Sequence, residues 1–386
     1  MAATRVFRVP VTIFGRGSSE NVGVELKSLG ARKVLIVTDQ TLRKLGMLTK
    51  IESSLKTERL EFAVYDKLPT EPTVDFVLDG TSFFRKSGCN VILAVGGGTS
   101  IDTGKAISVM AANSVSIEDF MGANKIQNSG IPLVAIPTTA GTGSEVTIFT
   151  IIANTKTNIK MLIASPHLMP RLAVIDPLLT ITMPKVITAS TGLDALTHAI
   201  EAYVSRKAQP MTDVLALSAI RLLAQNIPRA WLNGNDVEAR EQTMLGSYQA
   251  GLAFGNASVA LVHGLSRPIG AYFHVPHGLS NVVLLGPVME FSLHGSPKRY
   301  ADIAAALGED IAGLTDIEAA RVGADAVKKL IRQLEIPRLR DLGVDRKKFE
   351  EAIPQMIESA IASGSPDNNP RMATKEEMAE IYNYAF

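Results

Sequence analysis

Five short apolar runs recur through the first half of the chain, at Lys33–Val37, Phe62–Tyr65, Val91–Val95, Leu133–Ile136 and Leu172–Ile175, with helical or turn-rich segments between them. A run of four or five residues that does not alternate with polar ones has no solvent face, so each reads as a strand buried on both sides. Such strands, joined by helical crossovers, make a largely parallel sheet flanked by helices and leave ligands to the carboxyl ends of the strands. The segment 4–15, TRVFRVPVTIFG, alternates well enough to be an edge strand or a hairpin, and Pro10 argues against a central place. Between the fourth and fifth runs, TIFTIIANTKTNIKMLIA reads as a hairpin inserted around the polar turn 154–158.

Beyond about Met183 the period changes. TDVLALSAIRLLAQNI, DIEAARVGADAVKKLIRQL and KKFEEAIPQMIESAIA are helical patterns, and Thr315–Glu318 and Thr374–Glu377 have the form of capping boxes. The expected organisation is an α/β domain over 1–183 and an all-helical domain over 184–386, with the boundary near Pro184. At 386 residues the chain has length enough for both cores. Its net charge of +1, from 39 basic and 38 acidic residues, gives no broad electrostatic reason to bind nucleic acid or an anionic membrane. A small molecule is the expected partner. The single cysteine, Cys89, excludes an internal disulfide and a cysteine-rich zinc site. With no secretion-type leader and no run of about 18 apolar residues, a cytoplasmic location is expected.

Two stretches carry chemistry. TGLDALTHAIEAY sets Asp194 and His198 four residues apart in a helical pattern, so both project from one face. ALVHGLSRPIGAYFHVPHG then supplies His263, His274 and His277, the last two in a loop broken by Pro and Gly. A divalent first-row metal accepts imidazole nitrogen and carboxylate oxygen, and Asp194, His198, His263 and His277 are the candidate set. The alternative is an Asp in the first turn of a helix and a surface histidine. In VILAVGGGTSIDTGKAISV a buried strand runs into three glycines and a helix starting near Ser100, so Gly96, Gly97, Gly98, Thr99 and Ser100 suit a pyrophosphate. The spacing is neither a Walker A loop nor the G-x-G-x-x-G fingerprint, and a tight turn is the alternative. Asp39 ends the strand KVLIVTD, where a carboxylate binds ribose hydroxyls and repels a 2′-phosphate, or simply forms a turn.

Taken together, AVIDPLLTITMPKVITASTGLDALTHAIEAY and VHGLSRPIGAYFHVPHG resemble the two signature regions of the iron-dependent (group III) alcohol dehydrogenases, and the resemblance covers nearly the whole chain. It implies a dehydroquinate synthase-like architecture: a dinucleotide-binding α/β domain followed by a helical metal-binding domain, the two meeting across a cleft. It assigns the metal to Asp194, His198, His263 and His277, and GGGTSID to the turn that carries the NAD pyrophosphate, with Asp102 and Lys105 bracing it. By the same resemblance Thr138, Thr139, Thr147, Lys160 and Leu179 reach the cofactor. Phe149 is expected beside the cofactor, and with Phe254 it is a candidate for lining an apolar pocket. The implied activity is NAD-linked interconversion of small primary alcohols or diols with aldehydes, by hydride transfer from an alkoxide on Fe2+, with Zn2+ or another divalent ion as alternatives. Several members of the family carry a histidine four residues after the third ligand; here Arg267 stands there, and His274 is the candidate proton relay. Relatives often assemble as dimers or larger. The rival expectations are a zinc polyol dehydrogenase, a dehydroquinate synthase-like lyase and a non-catalytic NAD-binding protein.

Overall fold

A computed structural model describes residues 6–69, 71–157 and 159–386. The chain divides into two compact units, Val9–Thr182 and Met183–Phe386, and residues 6–8 group with the second.

Among its described residues the first unit holds nine strands: β1 (Val11–Phe14), β2 (Lys33–Val37), β3 (Glu61–Tyr65), β4 (Val91–Gly96), β5 (Gly122–Ala123), β6 (Leu133–Pro137), β7 (Phe149–Asn154), β8 (Ile159–Ala164) and β9 (Leu172–Ile175). Six of them form one sheet in the order β1-β9-β6-β4-β2-β3, every neighbouring pair parallel. The central strands β4 and β6 are buried at each position, as their unbroken apolar runs require. Alternate residues feed opposite faces: Ile36, Leu93, Val95, Val134, Ile136 and Val174 join one core, while Leu35, Val37, Ile92, Ala94 and Ala135 join the other. Each such Val, Leu or Ile contributes about 2 kcal/mol by leaving water. The chain steps outward from β2 to β3, then crosses back to place β4 on the other side of β2. That reversal opens a crevice at the carboxyl ends of β2 and β4.

At the far edge, β1 spans only Val11–Phe14, shorter than the segment 4–15 suggests. It begins directly after Pro10, which has no N–H for the ladder; positions 4 and 5 lie outside the described residues. The inserted hairpin is present as β7 and β8, antiparallel with Asn154 opposite Ile159, and β5 adds a third strand beside β8. Asn154 Oδ1 accepts the N–H groups of Lys156 at 3.0 Å and Thr157 at 3.2 Å, which turns the chain. Position 158 of the expected turn lies outside the described residues.

The second unit is helical, with no strand among its described residues. Its core gathers Leu193, Leu196, Ile200, Leu223, Leu265, Leu285 and Phe349. Both expected capping boxes form, Thr315 with Glu318 and Thr374 with Glu377. Among the described residues no helix is long and apolar enough to cross a membrane.

Candidate active site

In the helical unit the Lys185–Val204 helix begins well before Asp194, behind Pro184. Asp194 therefore sits mid-helix, and a carboxylate stabilised by a helix N-terminus is not what is found. Asp194, His198 and Glu201 fall at i, i+4 and i+7 on one face, only 2%, 4% and 2% exposed. The His277–Ser292 helix approaches this face closely because residue 278 is glycine: a Cβ there would stand 2.8 Å from the Ser190 carbonyl oxygen. His277 is the first residue of that helix, not a loop residue. Pro276 supplies the fixed φ from which the helix starts, so the break between helices shrinks to three residues, 274–276. His263 comes from the first turn of a third helix, Leu261–Phe273.

One ligand atom each from Asp194, His263 and His277 lie within 4.8 Å of one another. His263 Nε2 stands 3.8 Å from Asp194 Oδ1. Asn281 enters the same group: its Nδ2 donates to Asp194 Oδ1 at 2.6 Å and lies 3.0 Å from His263 Nε2 and 3.2 Å from His277 Nε2. Its Oδ1 is buried without a hydrogen-bond partner. His198 does not join the three within that radius. Its ring instead stacks between Phe254 at 4.1 Å and His263 at 4.5 Å, centroid to centroid. His274 caps the Leu261–Phe273 helix in the left-handed region, with φ 55°, is exposed, and is outside the group.

Glu201 completes the arrangement. Its Oε2 is hydrogen-bonded to His263 Nδ1, and its Oε1 accepts the N–H groups of Val262 at 2.7 Å and His263 at 3.3 Å. Neither Glu201 nor Asn281 was singled out in the sequence, although the i+7 spacing from Asp194 to Glu201 was there to be read. Burial pushes the Asp194 carboxyl up to about 7, against the pull of the Asn281 amide, and nearby Glu201 adds to the rise. Burial holds His263 well below the usual imidazole value, and Arg267 acts the same way, so the ring is neutral. Arg267 itself donates from Nη1 to Ser365 Oγ at 2.9 Å. One carboxylate oxygen and two imidazole nitrogens so placed fit a divalent cation, and the orphaned Asn281 oxygen marks a polar centre.

In the sheet unit the expected cofactor residues cluster at strand ends. Gly96 ends β4 with φ 150°, and a Cβ on it would collide with Ser100 Oγ. The following helix runs Gly98–Ala112, two residues earlier than expected, so the N–H groups of Gly98, Thr99 and Ser100 are free of helical partners. Thr138 donates its N–H to Gly96 O at 3.0 Å, and a Cβ on Gly97 would meet Thr139 Oγ1 at 3.5 Å, so the 137–147 loop abuts the glycine turn.

Asp102 and Lys105 are not a solvated helix face. Asp102 accepts from Ser144 Oγ and, at 2.9 Å, from Ile151 N, while fully buried Lys105 reaches Thr147 O at 3.0 Å, Thr147 Oγ1 at 3.1 Å and Phe149 O at 2.8 Å. Burial lowers Lys105 to about 8 and raises its neighbour Glu145 to about 7. Lys160 pairs with Glu71 at 2.6 Å, and Leu179 packs against the sheet core. Asp39 caps the Gln40–Lys44 helix, one oxygen accepting from Leu42 N at 2.9 Å. Thr38 Oγ1 and Ser100 Oγ, at the ends of β2 and β4, are buried without hydrogen-bond partners. The orphaned Ser100 hydroxyl beside amides free of helical partners fits a phosphate, and the orphaned Thr38 hydroxyl stands after the neighbouring parallel strand, as a dinucleotide site requires.

Comparison with known proteins places these sites in context. Residues 10–177 match the family described as iron-containing alcohol dehydrogenase, and residues 188–386 match the C-terminal part of the Fe-containing alcohol dehydrogenase family. The chain is 40% identical to 1,3-propanediol dehydrogenase of Citrobacter freundii, over 97% of each chain. It is 37% identical to NAD-dependent methanol dehydrogenase of Bacillus methanolicus, over 98% of each. Among solved structures, 1,3-propanediol oxidoreductase matches with a TM-score of 0.96 at 39% identity, covering 100% of both chains.

Proposed function

Because this chain belongs to the iron-containing alcohol dehydrogenase family, we propose that it interconverts small primary alcohols or diols with aldehydes, using NAD and a divalent cation held by Asp194, His198, His263 and His277. The observation that carries this reading is the convergence of Asp194, His263 and His277 within 4.8 Å on three helices. His198, stacked on His263, is the fourth donor. A divalent cation in such a site supplies Lewis acidity, which draws charge from a substrate oxygen and eases loss of the hydroxyl proton.

The chain's own groups do the rest. Asn281 orients the Asp194 carboxylate, Glu201 orients the His263 ring, and Phe254 covers the face of His198 against water. Arg267 stays protonated and does not carry the alcohol's proton; exposed His274 is assigned to pass it to solvent. In the sheet unit the Gly96–Ser100 turn takes the pyrophosphate, Thr138, Thr139 and Thr147 with the segment at Phe149 form the cofactor's wall, and Lys160 and Leu179 bound it. Asp39 keeps one carboxylate oxygen for the ribose, which favours NAD over NADP. Iron is the cation of this reading, although the donor types accept zinc as well. The reading includes a cytoplasmic homodimer or larger assembly, which fractionation and sedimentation test.

The deciding experiment is anaerobic metal analysis coupled to a panel of short alcohols, diols and aldehydes with each nicotinamide cofactor. NADH formed with a primary alcohol or diol, lost on chelation and restored by Fe2+, is the expected result. Restoration by Zn2+ alone, with preference for glycerol-like substrates, would favour the polyol dehydrogenase, and bound NAD without turnover of any substrate would favour a binding protein.

A further inference from the structure

The first turn of the Leu261–Phe273 helix needs a cap that its own sequence does not supply. Its N-cap is Ala260, which has no side chain to offer, and no side-chain cap bond is made there. Glu201, from a different helix, takes the place of that cap through Oε1, accepting from Val262 N at 2.7 Å and His263 N at 3.3 Å. Helix capping explains one oxygen. It does not explain the other, because Oε2 is spent on the His263 ring at Nδ1.

Burial pushes the Glu201 carboxyl up to about 8, while the N–H groups of His263 and Val262 and the charge of Arg267 pull it back. In its ionised form Glu201 only accepts hydrogen bonds, so the proton between them is then on His263 Nδ1. The ring's Nε2 then carries a lone pair, and that lone pair faces Asp194 Oδ1 across 3.8 Å, inside the group shared with His277. Glu201 is only 2% exposed, and a buried carboxylate without compensating charge is unfavourable. Arg267, one helical turn after His263 and anchored on Ser365 Oγ at 2.9 Å, pulls the Glu201 carboxyl downward through its charge and so works against that penalty. The arginine is thereby accounted for without any part in proton transfer.

We propose that Glu201 is the positioning residue that locks His263 in the tautomer with an unprotonated Nε2 and so sets how tightly the helical unit holds its cation. The inference rests on His263 being a ligand, as read above. A group in this position acts by fixing ring orientation and basicity, and loss of such a partner typically weakens metal binding about 10- to 100-fold.

Glu201→Gln separates the two roles. The amide oxygen still caps Val262 and His263, but the amide N–H turned toward His263 donates to Nδ1 and drives the proton to Nε2. We expect the Kd for Zn2+, measured by chelator competition on the full-length protein, to rise about 10- to 100-fold. The thermal midpoint of the metal-free protein should stay close to that of the parent, and the visible spectrum of the Co2+-loaded protein should change. Arg267→Gln should weaken Zn2+ binding less, and Arg267→Lys should restore part of the loss. Asp194→Ala and His263→Ala serve as controls. If they abolish Zn2+ binding while Glu201→Gln binds as tightly as the parent, the positioning role is wrong and the ligand reading stands; if the controls keep full affinity, the ligand reading itself has failed. A second measurement needs no variant at position 201: above about pH 8, where Glu201 is ionised, the imidazole 15N shifts of the parent protein should show His263 protonated at Nδ1, and protonation at Nε2 there would overturn the proposal.

Discussion

The two units carry their functional groups in opposite ways. In the sheet unit most of the proposed groups stand at strand ends: Thr38 and Asp39 after β2, Gly96 ending β4 with Gly97–Ser100 behind it, Thr138 and Thr139 after β6. Parallel topology alone collects them, because every strand delivers its carboxyl end to the same edge. In the helical unit the groups come from three helices separated by up to 87 positions, the span from Asp194 to Asn281, and only packing brings them together. A strand-end site should thus tolerate side-chain loss and fail when its backbone is disturbed. A helix-borne site should do the reverse.

The largest effect should come from the helical side. His263→Ala removes a proposed ligand nitrogen together with the ring hydrogen-bonded to Glu201, and we expect kcat/KM to fall by at least about a thousandfold, together with loss of metal by elemental analysis. NADH binding, followed by fluorescence, should survive; its loss would mean that the two sites are not separable. Next in size is Gly96→Ala. An alanine at φ 150° that also collides with Ser100 Oγ strains the turn by about 1–3 kcal/mol, so the KM for NAD should rise roughly 10- to 100-fold while metal content stays constant.

Asp39→Gly should raise the NADP/NAD ratio of kcat/KM by about tenfold, since one charged hydrogen-bond acceptor is removed. An unchanged ratio takes Asp39 out of the ribose site. The smallest effect concerns Glu145 beside the glycine turn. Burial raises it from 4.5 to about 7, so the folded protein holds a proton that the unfolded chain releases as pH climbs through that window. The parent therefore loses stability across the window and Glu145→Gln does not. The gap between their thermal midpoints should widen from pH 4.5 to about 7 and then level off; a constant gap would show that Glu145 is not buried as a proton-binding group.

The same contrast decides what could be read in advance. The strands and the glycine turn were legible because apolar continuity and contiguous residues announce them. The hairpin was legible from its polar turn, and β1 was overextended because alternation alone does not register the N–H missing at Pro10. Asp194 and His198 were found by their i, i+4 spacing, yet Glu201 at i+7 passed unremarked, since a lone carboxylate on a helix ordinarily faces water. Asn281 could not be found at all without the close approach at Gly278. The burial of Asp102 and Lys105 was not legible, because charged residues near a helix N-terminus read as a solvated face; the family resemblance set them to brace the glycine turn, and their hydrogen bonds run to residues 144–151.

Anomalous diffraction from crystals of the protein loaded anaerobically with Fe2+, or with Zn2+, bears most directly on the helical centre. One strong peak is expected about 2.0–2.2 Å from an Asp194 oxygen and from ring nitrogens of His263 and His277, with His198 drawn into the same shell. A peak bound elsewhere on the chain, or no ion at all among these side chains, would contradict it.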